Sequence, residues 1–584
     1  MTGPDQPEPL RPRDLSLIVA AAAAMRAVYF ALVRATPLFD YLHLDPLYYV
    51  EWGRRIAAGD WIGHGVFEQS PLYPYLLGAF FAVLGERLLL LRVLQLGLGV
   101  AACTGIGLVG SLTLGRRVGL AAGLLAAVYG PFLFYEGQVM KSFLNYVLAT
   151  AALLAVLRWR RGGTAWALGA GAALGLLALV RANSLLLVPV LAAWAVIEAG
   201  LRSRRGWAAA AGIGLGAALV VAPVTLRNLA VSGEPVLVTS GGGEVFYIGN
   251  YEAANGAYLP PPFVRPAPAW EHQDFRDEAA RRAGRPLTRG ESSRYWFREG
   301  LAAIAADPVR WLRLEFRKLA LFWNARELPD NYSYDVFREF VPLLRVLPAF
   351  GIVAPLALVG IGLEARRWRV LLPLYLLAGA YLAGVLLFFN FSRFRLPALP
   401  VLLVLAGATL VGVLDRLRAG ALGRAALLVL AAAVLALPMH LDLTRADDAP
   451  GQDRLLVGYS WLDADRPAEA LEAFHEARRR IEGFRRTHPG AAALELGSAC
   501  YGEGSSLLSL GRDAEALEPL HCAVRLSPRD PAPLADLAAL LTDMGQLAEA
   551  EAALERLVVL RPRRFAGWFD LASLAFRRGD AALA

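Results

Sequence analysis

The chain's first candidate for chemistry is an acid set among aromatic residues. Asp45 lies in HLDPLYYVEWGRRIAAGDW, with Tyr48, Tyr49, Trp52 and Trp61 around it. Glu136 and Lys141 follow in GPFLFYEGQVMKSFL, inside an otherwise apolar tract running from Val118 to Leu157. A charge at mid-bilayer is expensive, so this pair belongs at a membrane surface or at a functional site. Two carboxylates converging on one face, Asp45 and Glu136, suit general-base work on a hydroxyl, one of them accepting its proton. Arg181 in LVRANS, and Arg393 with Arg395 in FFNFSRFRLPALP, add guanidinium forks that match phosphate. Only two of the 59 basic side chains are lysines, Lys141 and Lys318, so Lys141 stands out from an arginine-rich background and joins the phosphate-binding candidates. Tyr48, Tyr49, Asn250 and Lys318 are candidate substrate contacts. Each has a plainer reading: an aromatic belt with one solvated acid, a snorkelling lysine, or arginines on lipid headgroups.

The elements that must hold these residues are membrane helices. Of 584 residues, 56% are hydrophobic and 19% charged, and apolar runs about 20 residues long recur. The fold class is all-α, a polytopic membrane protein with about eleven spans: 15–34, 88–113, 118–135, 140–157, 164–180, 184–200, 208–226, 346–363, 370–389, 398–414 and 424–437. The first run is expected to be a retained helix rather than a cleaved signal, since no small-x-small site follows it. Ser70–Gly85, short and interrupted by proline, is expected as an interfacial hairpin.

Arginines collect in short loops at 116–117, 158–161, 202–205, 366–369 and 416–424. Basic short loops mark the cytoplasmic side, so the net charge of +8 implies no nucleic-acid partner. With those loops inside, the turn carrying Glu136 and Lys141 faces out. So do the loops 36–87 and 228–345 and everything after the membrane domain, 1–440. Within the long loop, Pro308 to Trp323 has apolar residues at helical spacing and reads as a helix on the membrane surface.

After a linker at 441–453, residues 454–584 form a repeat array. Gly511, Gly545 and Gly579 recur every 34 residues, as do Ala516, Ala550 and Ala584, and Pro528 and Pro562. That period, with a small residue in the second helix and a closing proline, is the tetratricopeptide signature of an α-solenoid. RPAEALEAFHEA at 466–477 reads as an earlier unit separated by an insertion, and the last unit is expected to lack its second helix. Cys500 and Cys522 fall at similar heights on the two antiparallel helices of one unit. A bridge is open to them in an oxidising compartment; side chains that diverge would leave two ordinary core thiols. Seven histidines show no metal-ligand spacing, and TSGGGEVFYIGN lacks the Gly-Lys-Ser/Thr ending of a nucleotide loop.

The order LDPLYYVEWGRRIAAGD, SPLYPYLLG, RVLQLGLG, YEGQVMKSFL, LVRANSLLLVP, FYIGNYEAANG, RKLALFWNARELPDN and SRFRLPALP resembles the integral-membrane glycosyltransferases of the GT-C class. The branch it resembles is that of protein O-mannosyltransferase-like and aminoarabinose-transferase-like enzymes, including members with C-terminal tetratricopeptide repeats. The resemblance implies sugar transfer from a polyprenyl-phosphate-linked donor to an acceptor hydroxyl on protein, lipid or glycan. It places the enzyme in the bacterial inner membrane with the site on the extracytoplasmic face. The first-loop aspartate, here Asp45, is then the expected base. Pro46 stands where many relatives carry a second acid, which leaves Glu136 as the expected second carboxylate. No cofactor is expected, and a divalent metal is left open. Two other classes compete: a lipid-linked glycan ligase or polymerase, which would want a long outer loop rich in Arg and His, and a non-enzymatic lipid-sugar transporter or assembly scaffold, which would keep ionisable residues at mid-span.

Overall fold

The computed structural model describes residues 8–265, 270–443, 451–487 and 492–578. Among them the elements are helices, with one isolated parallel bridge between Ala257 and Asn390. The chain divides into two compact units, Met1–Val33 with Leu42–Leu443, and Arg34–Tyr41 with Thr444–Ala584.

In the first unit, nine helices among the described residues are long and apolar enough to cross a membrane. A tenth is counted if Arg116–Ala127 and Gly130–Glu136, bent by 54°, make one span. The expected eleventh, Ala165–Val180, is apolar but only 16 residues long, below the roughly 20 of an upright crossing. It packs along Arg204–Ser232. A Cβ at Gly171 or Gly216 there would collide with a backbone carbonyl of the facing helix. Apolar side chains gain little from leaving lipid, so such close backbone approach is what holds membrane helices together.

Two expectations change shape. Ser70–Gly85 forms a single helix, Leu72–Leu84, lying against Asp45–Ala57, and not a hairpin. The helix Pro308–Trp323 is present, its N-terminus capped by Asp307 accepting from the Arg310 N–H at 2.9 Å. Its Lys318 is buried, and Glu315 and the Leu386 carbonyl take its ammonium at 2.7 and 2.8 Å. With Gly242–Asn250, Glu271–Ala283 and Arg289–Ala306, this helix builds the long-loop region around Tyr247, Phe275, Trp296 and Phe322.

The second unit is a run of helices, Gln452–Asp463, Pro467–Thr487, Ala493–Ser509, Asp513–Leu526, Pro531–Asp543, Leu547–Leu560 and Phe565–Arg578, each packed on the next. The recurring glycines sit where the chain reverses, Gly511 at φ +69° and Gly545 at φ +76°, a conformation that a side chain disfavours. Ala516 and Ala550 are fully buried where neighbouring helices meet. The expected insertion after residue 477 begins within a 21-residue helix, Pro467–Thr487; residues 488–491, Gly579 and Ala584 lie outside the described residues. Cys500 and Cys522 are bridged, with Cα atoms 5.9 Å apart. Cys103, in the membrane unit, is a buried free thiol.

Candidate active site

Asp45 opens a helix rather than ending a loop. Leu44 before it is held at φ +50°, Pro46 follows at the first turn, and the helix runs Asp45–Ala57. Proline suits that position because the first helical N–H groups have no partner within the helix. The Asp45 main-chain N–H donates to Asn331 Oδ1 at 2.9 Å, and Asn331 Nδ2 donates back to Asp45 Oδ2 at 3.0 Å. The start of this helix is thereby clamped to the loop after Pro308–Trp323.

Arg393 completes the arrangement. Its NH1 donates to Asp45 Oδ2 at 3.0 Å, and its Nε lies 2.9 Å from Asp330 Oδ2. One guanidinium therefore joins two carboxylates, with side-chain exposures of 16% for Arg393, 10% for Asp45 and 4% for Asp330. Burial raises the Asp330 carboxyl above the usual range, with Arg393 opposing the shift. Nearby, Lys141 Nζ lies 5.5 Å from the centre of the Tyr49 ring and 3.5 Å from Gln69 Oε1. Burial pushes its ammonium down to about 7, with Asp45 working the other way and Arg393 and Arg181 adding to the fall. The Arg181 guanidinium stacks on Phe394, 3.3 Å from the ring centre, and Arg393 approaches the same ring at 5.6 Å. The Tyr49 hydroxyl is buried with no hydrogen-bond partner among the described residues. Tyr48 is half-buried, edge-on to Tyr49 and Trp52.

Asp45, Arg393, Arg181, Lys141 and Tyr49 thus share one neighbourhood, and four other candidates do not belong to it. Glu136 does not face an outer surface. It is fully buried, held by Arg26 Nε and NH2 at 2.7 and 2.6 Å and by the Tyr146 hydroxyl. A Cβ at Gly99 would overlap its carboxyl group, so that position leaves it room. Arg395 is spent on structure: its NH1 donates to the carbonyls of Phe322 and Asn324, and its NH2 to the Arg326 carbonyl, Glu327 and Ser392. Its guanidinium also lies on Phe350. Residues two apart in a tight turn point different ways, which separates it from Arg393. Asn250 and Lys318 form a second buried node, Lys318 Nζ donating to Asn250 Oδ1 at 3.3 Å while Asn250 Nδ2 donates to the Phe246 and Leu387 carbonyls.

Asp330 and Asn331 are the site residues that sequence reasoning missed. Their signal was the stretch ELPDN, whose acids Glu327 and Asp330 meet the two outer arginines, Arg395 and Arg393. Among the described residues no group of three or more His, Cys, Asp or Glu side chains is placed to hold a metal ion.

Known proteins bear on this arrangement through a family model. Residues 68–226 match the family described as dolichyl-phosphate-mannose-protein mannosyltransferase. That agrees with the resemblance drawn from the ordered motifs. The matched segment contains SPLYPYLLG, RVLQLGLG, YEGQVMKSFL and LVRANSLLLVP, and so Lys141 and Arg181, but not Asp45, Asp330 or Arg393. Similar solved structures include the oligosaccharyltransferase AglB from Archaeoglobus fulgidus, in complex with an inhibitory peptide and a dolichol-phosphate, at 17% identity and TM-score 0.39. The alignment covers 80% of this chain and 59% of AglB, so the chain spans about three fifths of that protein's length. ArnT from Cupriavidus metallidurans, bound to undecaprenyl phosphate, is similar at 15% identity and TM-score 0.37, over 86% of this chain and 80% of ArnT. No curated protein matches by sequence.

Proposed function

We propose that the chain is a membrane glycosyltransferase that moves a sugar from a polyprenyl-phosphate-linked donor to an acceptor hydroxyl. The observation that carries this reading is a carboxylate, Asp45, bonded to a guanidinium, Arg393, with Lys141 and Arg181 close by. In a one-step displacement the acceptor O–H passes its proton to Asp45 as its oxygen attacks the anomeric carbon. The bond from that carbon to the donor phosphate breaks, and the phosphate departs with the electron pair. A phosphate needs little acid help to leave, but its growing charge is stabilised by fixed cations, the part given to Arg393, Arg181 and Lys141. Attack opposite the leaving group inverts the anomeric centre. Tyr48 and Tyr49 are read as substrate contacts on the helix that Asp45 opens. The family model, whose description names a dolichyl-phosphate sugar, supports the donor class.

The site is read as extracytoplasmic, in a bacterial inner membrane. Support comes from the arginine-rich loops on the other face and from the Cys500–Cys522 bridge, which suits an oxidising compartment. The second unit is read as tetratricopeptide repeats offering a surface to a protein partner. A transporter would use ionisable residues along its path, but the buried pair Arg26 and Glu136 is closed on itself at 3% and 0% exposure. The test is reconstitution with polyprenyl-phosphate mannose, followed by release of polyprenyl phosphate and labelling of acceptors. Asp45→Asn keeps the shape and removes the base, so transfer should fall by roughly 10²-fold or more. Transfer near wild type in Asp45→Asn would place the base elsewhere.

A further inference from the structure

The ion pair that defines the site is also an obstacle to it. Asp45 Oδ2 is occupied by Arg393 and Asn331, so the proposed base and the proposed phosphate ligand are paired with each other. Oδ2 cannot take a proton, nor NH1 a phosphate, while the two remain bonded. Asp330 offers a way out, because it meets the guanidinium on its Nε edge, at 2.9 Å, and not on the NH1 that contacts Asp45. Asp330 is itself fixed, its Oδ1 accepting the Asn331 N–H at 2.5 Å, and it is 4% exposed. Its ion pair with the Nε edge leaves NH1 free to change partner.

We propose that Arg393 is exchanged between Asp45 and the donor phosphate, with Asp330 as the positioning residue that anchors the guanidinium through the exchange. This rests on the glycosyltransferase reading. With NH1 on Asp45 Oδ2, that oxygen is masked. When the donor enters, its phosphate takes NH1, Asp45 Oδ2 is released, and the base becomes competent only when a donor is in place. No covalent step is added; one ion pair is traded for another. The arrangement makes donor binding precede acceptor activation and keeps an unmasked carboxylate from polarising water beside an empty site.

Asp330→Asn separates the two roles of this residue. It keeps the shape and the oxygen that accepts from Asn331, but removes the charge that holds the Nε edge. Undecaprenyl phosphate is the binding probe, and labelling of Asp45 by dicyclohexylcarbodiimide, read by peptide mass spectrometry, reports unmasking. In the wild type, saturating undecaprenyl phosphate should raise Asp45 labelling by about threefold or more, whereas simple occlusion by a ligand would lower it. In Asp330→Asn, undecaprenyl phosphate should bind at least as tightly, because one negative charge has left a phosphate site. The rise in labelling should be lost, and transfer should fall by about tenfold or more. On an Arg393→Ala background the same change should add nothing to the loss of transfer, since Asp330 acts only through Arg393. Protection of Asp45 in the wild type, or equal and additive losses from Asp330→Asn with and without Arg393, would overturn the exchange. Should Asp330→Asn fail to fold, Asp330→Glu, with the charge one methylene further out, is judged by the same labelling rise. Wild-type protein that does not bind undecaprenyl phosphate would overturn this proposal and the glycosyltransferase reading together. Binding with unchanged labelling would overturn this proposal alone.

Discussion

Glu136 is the strongest case for separating a structural charge from a chemical one. Its carboxylate receives both Arg26 Nε and NH2, at 2.7 and 2.6 Å, with side-chain exposures of 3% for Arg26 and 0% for Glu136. Replacing Glu136 by alanine leaves a guanidinium inside the helix bundle with the Ala22 carbonyl and the Cys103 sulfur as its remaining hydrogen-bond partners. Breaking a fully buried pair in this way costs about 3–5 kcal/mol, which is roughly a 10²- to 10⁴-fold shift toward the unfolded state. Arg26→Ala should cost about the same, because it strands the carboxylate with the Tyr146 hydroxyl alone. The double variant Arg26→Met with Glu136→Leu removes both charges and refills the space, so it should lose far less than the sum of the singles, with a coupling of about 3 kcal/mol or more. Unfolding in mixed micelles of dodecyl maltoside and SDS, followed by circular dichroism, measures all four proteins, and transfer is assayed on the same samples. A structural pair predicts that the double variant recovers both stability and most of its transfer activity. A double variant that is stable but inactive would refute the argument and return Glu136 to the chemistry.

Three further outcomes follow from named contacts. Lys141 is charged below about 7, the value to which burial lowers it, so its help in binding phosphate should fade as pH rises through neutrality. The ratio of wild-type to Lys141→Arg affinity for undecaprenyl phosphate should therefore fall between pH 6 and 8; a flat ratio would remove Lys141 from the phosphate site. Cys500→Ser opens a bridge spanning 22 residues, so the repeat unit should lose about 3 kcal/mol in the chain-entropy model, read from its thermal transition with and without reductant. Arg395→Lys abandons five acceptors and should destabilise the membrane unit by about 2–4 kcal/mol, while undecaprenyl phosphate affinity in the folded fraction stays within twofold of wild type.

The sequence was informative about elements and less so about which way residues point. Apolar length and loop arginines yielded nearly every span, because each is a property of one segment. The repeat period was legible for the same reason, with Gly511 and Gly545 marking reversals that only a particular backbone conformation allows. Direction was harder. Glu136 and Lys141 are five residues apart, yet the turn Gly137–Lys141 sends the first toward Arg26 and the second toward Tyr49. Nothing in the local pattern distinguishes those outcomes. Arg26 was hidden inside an apolar run that read as a plain span, so its claim on Glu136 was invisible. Asp330 sits in a loop with other acids and gains meaning only from Arg393, which the fold, and no spacing rule, brings beside it.

That dependence has a consequence for biogenesis. Asp45 and Arg393 are 348 residues apart, and Asp45 and Asn331 are 286 apart. At about 5–20 residues per second, a ribosome needs roughly 20–70 s after making Asp45 before Arg393 exists. Until Asn331 is made the first loop has no clamp, and until Arg393 is made neither Asp45 nor Asp330 has its counter-ion. The site is therefore among the last features the chain can acquire, and a translation product arrested before span 392–418 holds the aspartate without its guanidinium partner. Quality control that senses unpaired charge or an undocked outer loop would find its target in such products, and the finished Asp45–Arg393–Asp330 bridge would serve as the mark of a completed molecule.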